Sequence, residues 1–296
     1  MSSDRRKKIL DLIDLVPTLP LAATSVLKRF DDRDVSVDAI ARMIQKDPSL
    51  TVSILKLANS AFYGFLGRVS DVRQAIVLVG LNQTRNIVLA VSLIKLFEGK
   101  HADGFKVGGL WRHSIACGFL AKKLGEETSI QDPDGALLVG GLIHDIGKLV
   151  IYQYLHHDFR KIISMIQQHK IGFSEAEKDV LGYTHYHIGA ELLRRWNFPE
   201  ELIAPVFFHH SPWSDSNHPH ISATVYYANR LTKLIGFPSY EKEPEPELSW
   251  RSEPESRLFL QKNGFMTSNR DIMPFLQASH AQMMSGGSDL FSLVSP

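Results

Sequence analysis

The dipeptide His144-Asp145, continued as Ile146-Gly147-Lys148, closes an apolar helical stretch rich in small residues: Ala136, Gly140 and Gly141. An imidazole beside a carboxylate pairs a borderline nitrogen donor with a hard oxygen donor. The carboxylate can bridge two cations where the histidine cannot. Taken alone, the pair also fits a histidine meeting the dipole at a helix C-terminus. Four further histidines bear on the choice. His113, in Trp111-Arg112-His113-Ser114, shares a helical face with Cys117 and Leu120, where an imidazole is either a satisfied core group or a ligand. With Thr184 as N-cap, His185 shares a face with Gly189, Leu192, Leu193 and Trp196, whereas His187 shares one with Glu191, Arg194 and Arg195. His185 is therefore expected inside and His187 in solvent. His209 and His210 end the rows Leu202, Val206, His209 and Ile203, Phe207, His210, so both border a buried stripe. Asn229 falls on the stripe Ile221, Val225, Ala228, Thr232, where an amide needs a polar partner. One shared site holding one or two divalent ions would satisfy these inward groups together. Histidine-rich donor sets accept Fe, Zn, Ni and Mn alike.

Such side chains can converge only if several helices carry them, and the pattern is helical almost throughout. Pro20 suits the first turn of a helix reaching Phe30. Ser36 is a candidate N-cap for Val37 to Lys46, and Asp47-Pro48 opens a helix carrying Leu50, Ile54, Leu57 and Ala58. Ser70-Asp71 starts another that stops at Gly80, and Gln83 to Phe97 is apolar nearly all round, as in a helix buried between others. Residues 1–100 thus read as a bundle of short helices. A glycine-bearing link, Gly99 to Gly109, leads to a second set at Leu110–Leu124, Pro133–His144, Phe159–His169, His185–Trp196, Pro199–His210 and Pro219–Ile235. Pro205 offers a place for a kink in the fifth of these. With no alternating strand pattern, the fold class is all-α: an N-terminal helical bundle (1–100) packed on a helical domain bearing the His/Asp site (105–236). Residues 237–296 form a linker, rich in Glu, Pro and Ser over Glu241–Glu255, and a weakly helical tail with segments near Pro254–Asn263 and Asn269–Met284.

The bulk composition narrows the function classes. In 296 residues, 33 basic against 32 acidic side chains give a net charge of +1. That balance argues against a nucleic-acid or membrane-surface ligand, and Arg68, Arg73 and Arg85 remain the only local basic group singled out. The single cysteine, Cys117, excludes an intramolecular disulfide and a thiolate zinc cluster. The charged N-terminus does not read as a signal peptide, and the most apolar segment, Ile87–Phe97, is about half of the roughly 20 residues a bilayer requires. A reducing cytosol is the expected compartment.

Several blocks then resemble one family. They are Leu15-Val16-Pro17-Thr18-Leu19-Pro20, Asp47-Pro48-Ser49-Leu50-Thr51, Leu57 through Gly64, Val72-Arg73-Gln74-Ala75-Ile76, Leu78-Val79-Gly80-Leu81, Leu110 through Ser114, Gly141 through Lys148, and His209-His210. In this order they resemble the HDOD domain, the regulatory relative of HD phosphohydrolases and HD-GYP cyclic-dinucleotide phosphodiesterases, from about 15 to 235. The resemblance implies a first metal position of His113, His144, Asp145 and a carboxylate on the later helix, where Asn229 stands as a poorer, neutral ligand. It implies a second position of bridging Asp145 with His185, His209 and His210. The Gly-Tyr-Pro signature that follows the paired histidines in HD-GYP proteins is replaced by Ser211-Pro212-Trp213, which argues against cyclic-dinucleotide hydrolysis. Lys148 matches a lysine that contacts substrate phosphate in HD-GYP relatives, although an exposed lysine near a helix end would look the same.

The resemblance favours a non-catalytic module of bacterial signalling that controls a protein partner, such as a histidine kinase or a cyclic-dinucleotide system. The alternative is a metal-dependent phosphohydrolase acting on a nucleotide or other phosphoester, with Asp145 bridging the ions and Lys148 neutralising phosphate. Di-iron oxygenase chemistry, known among HD proteins, is a third option that no residue here selects.

Overall fold

A computed structural model describes residues 3–30, 34–60, 68–97, 107–132, 134–240, 253–264 and 269–286, together with 32, 63 and 291. Among these residues every regular element is helical. The first set comprises α1 (Ser3–Ile13), α2 (Leu21–Phe30), α3 (Val37–Gln45), α4 (Pro48–Ala58), α5 (Val72–Val79) and α6 (Leu81–Leu96). The capping residues act as their types dictate. Ser36 Oγ accepts from the Ala39 amide at 3.2 Å, Asp47 Oδ1 from Ser49 and Leu50 at 2.9 and 3.0 Å, and Asp71 Oδ2 from Gln74 at 2.9 Å. Each such cap is worth about 1 kcal/mol. Gly80, at φ +95°, lets α5 and α6 meet at 114°.

The second set comprises α7 (Val107–Glu126), α8 (Ala136–Ile143), α9 (Ile146–Tyr154), α10 (His156–His169), α11 (Phe173–Leu181), α12 (His185–Arg195), α13 (Glu200–Phe208) and α14 (Pro219–Leu234), with a 3-10 turn at Pro212–Ser214. α8 starts later than the expected Pro133, which lies outside the described residues. Its first amides, Ala136 and Leu137, are held by the Asp132 carboxylate at 2.7 and 3.1 Å. Among the described residues the longest apolar run is Ala136–Tyr154 rather than Ile87–Phe97. It is long and apolar enough to cross a membrane, but 94% of it is buried inside the protein, and it breaks into α8 and α9 at His144-Asp145.

Three helices lie outside those expected. α1 hides behind the run Arg5-Arg6-Lys7-Lys8, yet it buries Ile9, Leu12 and Ile13 and packs against α12. α9 resumes directly after the His-Asp break, where the helix was expected to end. α11 is mostly polar, with Phe173, Ala176 and Glu177 as its buried face.

Close helix approaches set the frame of the site. A Cβ on Gly141 would stand 2.7 Å from the Gly118 Cα, so α7 and α8 touch through backbone. A Cβ on Gly147 would lie 1.9 Å from the His185 carbonyl oxygen, so α9 and α12 meet with no room for any side chain. These contacts bring His113, His144 and His185 into one region. Buried residues from Ile9 to Met283 form one continuous hydrophobic cluster. The C-terminal helices α15 (Pro254–Lys262) and α16 (Asn269–Gly286) join it through Leu260, Leu276 and Met283. The tail is therefore docked over these residues, with Tyr227 Oη 2.6 Å from Ser256 Oγ. Most of the expected linker, and Ala61, Phe62 and Gly64 of the Leu57–Gly64 block, lie outside the described residues.

Candidate metal centre

Four histidines are oriented by the same device, an acceptor at Nδ1. His144, the C-cap of α8, has Nδ1 2.7 Å from the Gly141 carbonyl, and His209, the C-cap of α13, has Nδ1 2.9 Å from the Val206 carbonyl. His113 Nδ1 lies 2.7 Å from the Phe237 carbonyl. His185 Nδ1 lies 2.6 Å from Glu177 Oε2, which also accepts the His185 amide at 3.0 Å. An oxygen acceptor assigns the proton to Nδ1 and leaves the Nε2 lone pair facing inward, the arrangement seen behind metal-bound imidazoles.

The Nε2 atoms converge on Asp145, which is buried together with His113, His144, His185 and His209. Its Oδ2 lies 3.4 Å from His144 Nε2 and 3.8 Å from His113 Nε2. Its Oδ1 lies 3.3 Å from His185 Nε2 and 3.7 Å from His209 Nε2. One carboxylate thus faces two pockets, one oxygen to each. In the first pocket the donor atoms of His113, His144 and Asp145 all lie within 4.8 Å of one another, as do those of His185, His209 and His210 in the second. His185 Nε2 is 3.2 Å from His209 Nε2 and 3.3 Å from His210 Nε2. His210 is the exposed member of that trio, and Ser174 Oγ lies 3.3 Å from its Nε2.

The donor set fits a divalent ion. With Nδ1 protonated on both rings, His185 and His209 present two lone pairs to each other, a contact that repels unless a cation lies between them. Ligand atoms around an ion held at ~2.1 Å by nitrogen stand roughly 3.0–3.4 Å apart, the separation found in the second pocket. His144 Nε2 and Asp145 Oδ1 are buried with no hydrogen-bond partner among the described residues, which a structure tolerates rarely.

Electrostatics keep His144, His209 and Asp145 in their ligating forms. Burial lowers the His144 imidazole below its ordinary range, with His185 and Lys148 adding to the shift against the pull of Asp145. Burial, then His144 and His185, push His209 well below it. Burial alone would raise the Asp145 carboxyl, but His144, Lys148, His185 and His209 together hold it well below the usual carboxylate range. Neutral imidazoles around an ionised carboxylate form a set ready for a cation.

Lys148 is not the exposed lysine that a helix end allows. It is 4% exposed, donates to Asp145 Oδ2 at 2.7 Å and to Ser239 Oγ at 3.2 Å, and lies 4.6 Å from the centre of the Phe173 ring. Asn229 is buried on α14, which packs against α7 and α8, and its Oδ1 accepts no hydrogen bond among the described residues. His187 is half-buried rather than in solvent, because Thr184 Oγ1 meets its Nδ1 at 2.7 Å and its ring stacks on Tyr186 at 4.6 Å. It stays outside the cluster. Of the three arginines, Arg68 is exposed, Arg73 pairs with Asp38 at the surface, and Arg85 is half-buried. Sequence reasoning missed Glu177, which is 1% exposed. An acid in register with Phe173 and Ala176 was the available signal.

Comparison with known proteins places this geometry in context. The HDOD domain model matches residues 16–212. An uncharacterized protein of Treponema pallidum (strain Nichols) is 28% identical over 244 residues, covering 82% of this chain and 47% of the relative. The chain thus spans about half the length of that curated relative. An HDOD domain protein of unknown function from Geobacter sulfurreducens superposes with a TM-score of 0.73 at 24% identity, covering 98% of this chain and 96% of the other. A candidate phosphohydrolase from Shewanella amazonensis SB2B gives 0.71 at 20% identity, covering 97% and 98%. At such identities the likeness speaks for the fold.

Proposed function

The chain belongs to the HDOD family, and we propose that within it this protein is a non-catalytic signalling module stabilised and switched by a histidine-bound metal ion. The observation that carries the metal reading is the contact of His185 Nε2 with the Nε2 atoms of His209 and His210, at 3.2 and 3.3 Å, beside Asp145 Oδ1. In the second pocket those three imidazoles and Asp145 would hold the ion, with Glu177 fixing His185 from behind. In the first pocket the donors would be His113, His144 and Asp145, with the neutral amide of Asn229 as a weak fourth.

Two features support a regulatory rather than hydrolytic role. Lys148, the group suited to neutralise a substrate phosphate, is already engaged with Asp145 and Ser239. The position of a further ligand carboxylate is held by Asn229, so the pair of strongly held ions that a two-metal hydrolysis needs is undermined. What the module would control is a protein partner in a signalling pathway, and a phosphate-bearing ligand would act there as an effector.

The test is metal analysis of untagged protein beside His144→Ala and His210→Ala, together with a turnover screen on nucleotides and model phosphoesters. The expected result is bound metal in the wild type, reduced in His210→Ala and, where the first pocket is also occupied, in His144→Ala, and no turnover at an enzyme-like rate. Wild-type protein still metal-free after incubation with excess Fe, Zn, Ni or Mn would overturn the metal reading. Turnover abolished by Asp145→Asn would instead establish the phosphohydrolase alternative, the activity suggested by the name of the Shewanella structure.

A further inference from the structure

We infer that the Lys148 ammonium is the resident cation of the first pocket, so that the protein takes one metal ion, at His185, His209 and His210, and not two. This deepens the metal-centre proposal and rests on it.

The two oxygens of Asp145 are used differently. Oδ1 faces the second pocket and accepts no hydrogen bond, while Oδ2, the oxygen facing His113 and His144, accepts from Lys148 Nζ at 2.7 Å. An ammonium on that oxygen occupies a direction that an ion bridged by the same atom would use, and it repels any dication brought beside it. The lysine is also built into its place. Ser239, on the segment after α14, holds Nζ from a second side at 3.2 Å, and the Phe173 ring of α11 lies 4.6 Å from it. A side chain 4% exposed and gripped from three elements is part of the site rather than a surface lysine swung inward.

Charge counting gives the same answer. Two buried carboxylates, Asp145 and Glu177, stand at the centre. One dication together with the Lys148 ammonium already exceeds their joint charge. A second dication would add two more positive charges to a buried region in which Asn229 contributes none, and unpaired buried charge is strongly disfavoured. The second pocket avoids this conflict, because its donors are three imidazoles and the oxygen of Asp145 that Lys148 does not engage.

The test counts ions per chain after dialysis against excess Zn²⁺, and separately Mn²⁺, in wild-type protein, Lys148→Gln and Lys148→Arg. The expected counts are one in the wild type, one in Lys148→Arg, which keeps the charge, and two in Lys148→Gln. In calorimetric titration the second Zn²⁺ should bind Lys148→Gln at least about tenfold more tightly than the wild type, a change of the size one buried charge confers. Melting curves identify a glutamine variant that fails to fold; Lys148→Met, which keeps the length without the charge, then takes its place. Two ions in the wild type, or one in a folded neutral variant, would overturn the inference while leaving a metal centre standing. No ion in the wild type would overturn both, so the two failures are distinguishable.

Discussion

At the scale of single residues, the site depends on what stands behind the ligands as much as on the ligands themselves. An imidazole can rotate and can carry its proton on either nitrogen. Backbone carbonyls fix His113, His144 and His209, whereas His185 depends on a side chain, Glu177, at 2.6 Å. Replacing Glu177 with Gln weakens the acceptor and removes a buried negative charge beside the proposed metal site. Metal affinity should fall about 10–100-fold, the usual cost of losing such a support, with the helical circular dichroism unchanged. Competition with a chromophoric chelator measures this directly, and unchanged affinity would reduce Glu177 to a packing residue.

At the scale of elements, glycine decides where the ligands meet. His144 and Asp145 occupy the break between α8 and α9, and His185 begins α12. The two are neighbours only because α9 lies against α12 at Gly147, where a Cβ would fall 1.9 Å from the His185 carbonyl oxygen. Gly147→Ala must push the helices apart. It should cost about 1–3 kcal/mol, in the range of overpacked cores, and lower metal content by drawing His185 away from Asp145. Thermal melting and metal analysis on the same preparation test both effects. A stable, fully loaded Gly147→Ala protein would show that α12 can shift without disturbing the centre.

At the scale of the whole molecule, the centre is a polar inclusion in one continuous hydrophobic core. His144 and His209 are held in the fold below the ordinary histidine pKa, chiefly by burial. In the unfolded chain they titrate near ~6.5. As pH falls below that value the unfolded state binds more protons than the folded one, so stability falls. Asp145 is shifted downward from an ordinary value that itself lies below this window, so its contribution stays constant there. The urea midpoint of metal-free protein should therefore drop between pH 7.5 and 5.5, and drop further with metal present, because protons then also displace the ion. A midpoint that stays level or rises on acidification would mean that the histidines are not buried in neutral form. The tail takes part in the same body: the Phe291 ring stacks on Phe237 at 5.8 Å, and Phe237 supplies the carbonyl that orients His113.

The sequence by itself determined the all-helical class, most helix starts and most of the inward histidines, although His210 proves exposed and His187 half-buried. These follow from local rules: a capping side chain satisfies amides two or three residues ahead, and helical spacing sorts each residue onto a face. Ser36, Asp47, Asp71 and the stripe beside His185 were legible for that reason. The tertiary structure alone decided which histidines come together, that Asp145 turns one oxygen to each pocket, and that Glu177 stands behind His185. It alone placed Lys148 inside the site. Those facts join residues on α7, α9, α11, α12 and α13, and depend on distances of a few ångströms between helices. Periodicity along one chain carries no information about such distances; they are set by how closely glycine-bearing faces such as those of Gly118, Gly141 and Gly147 allow helices to approach.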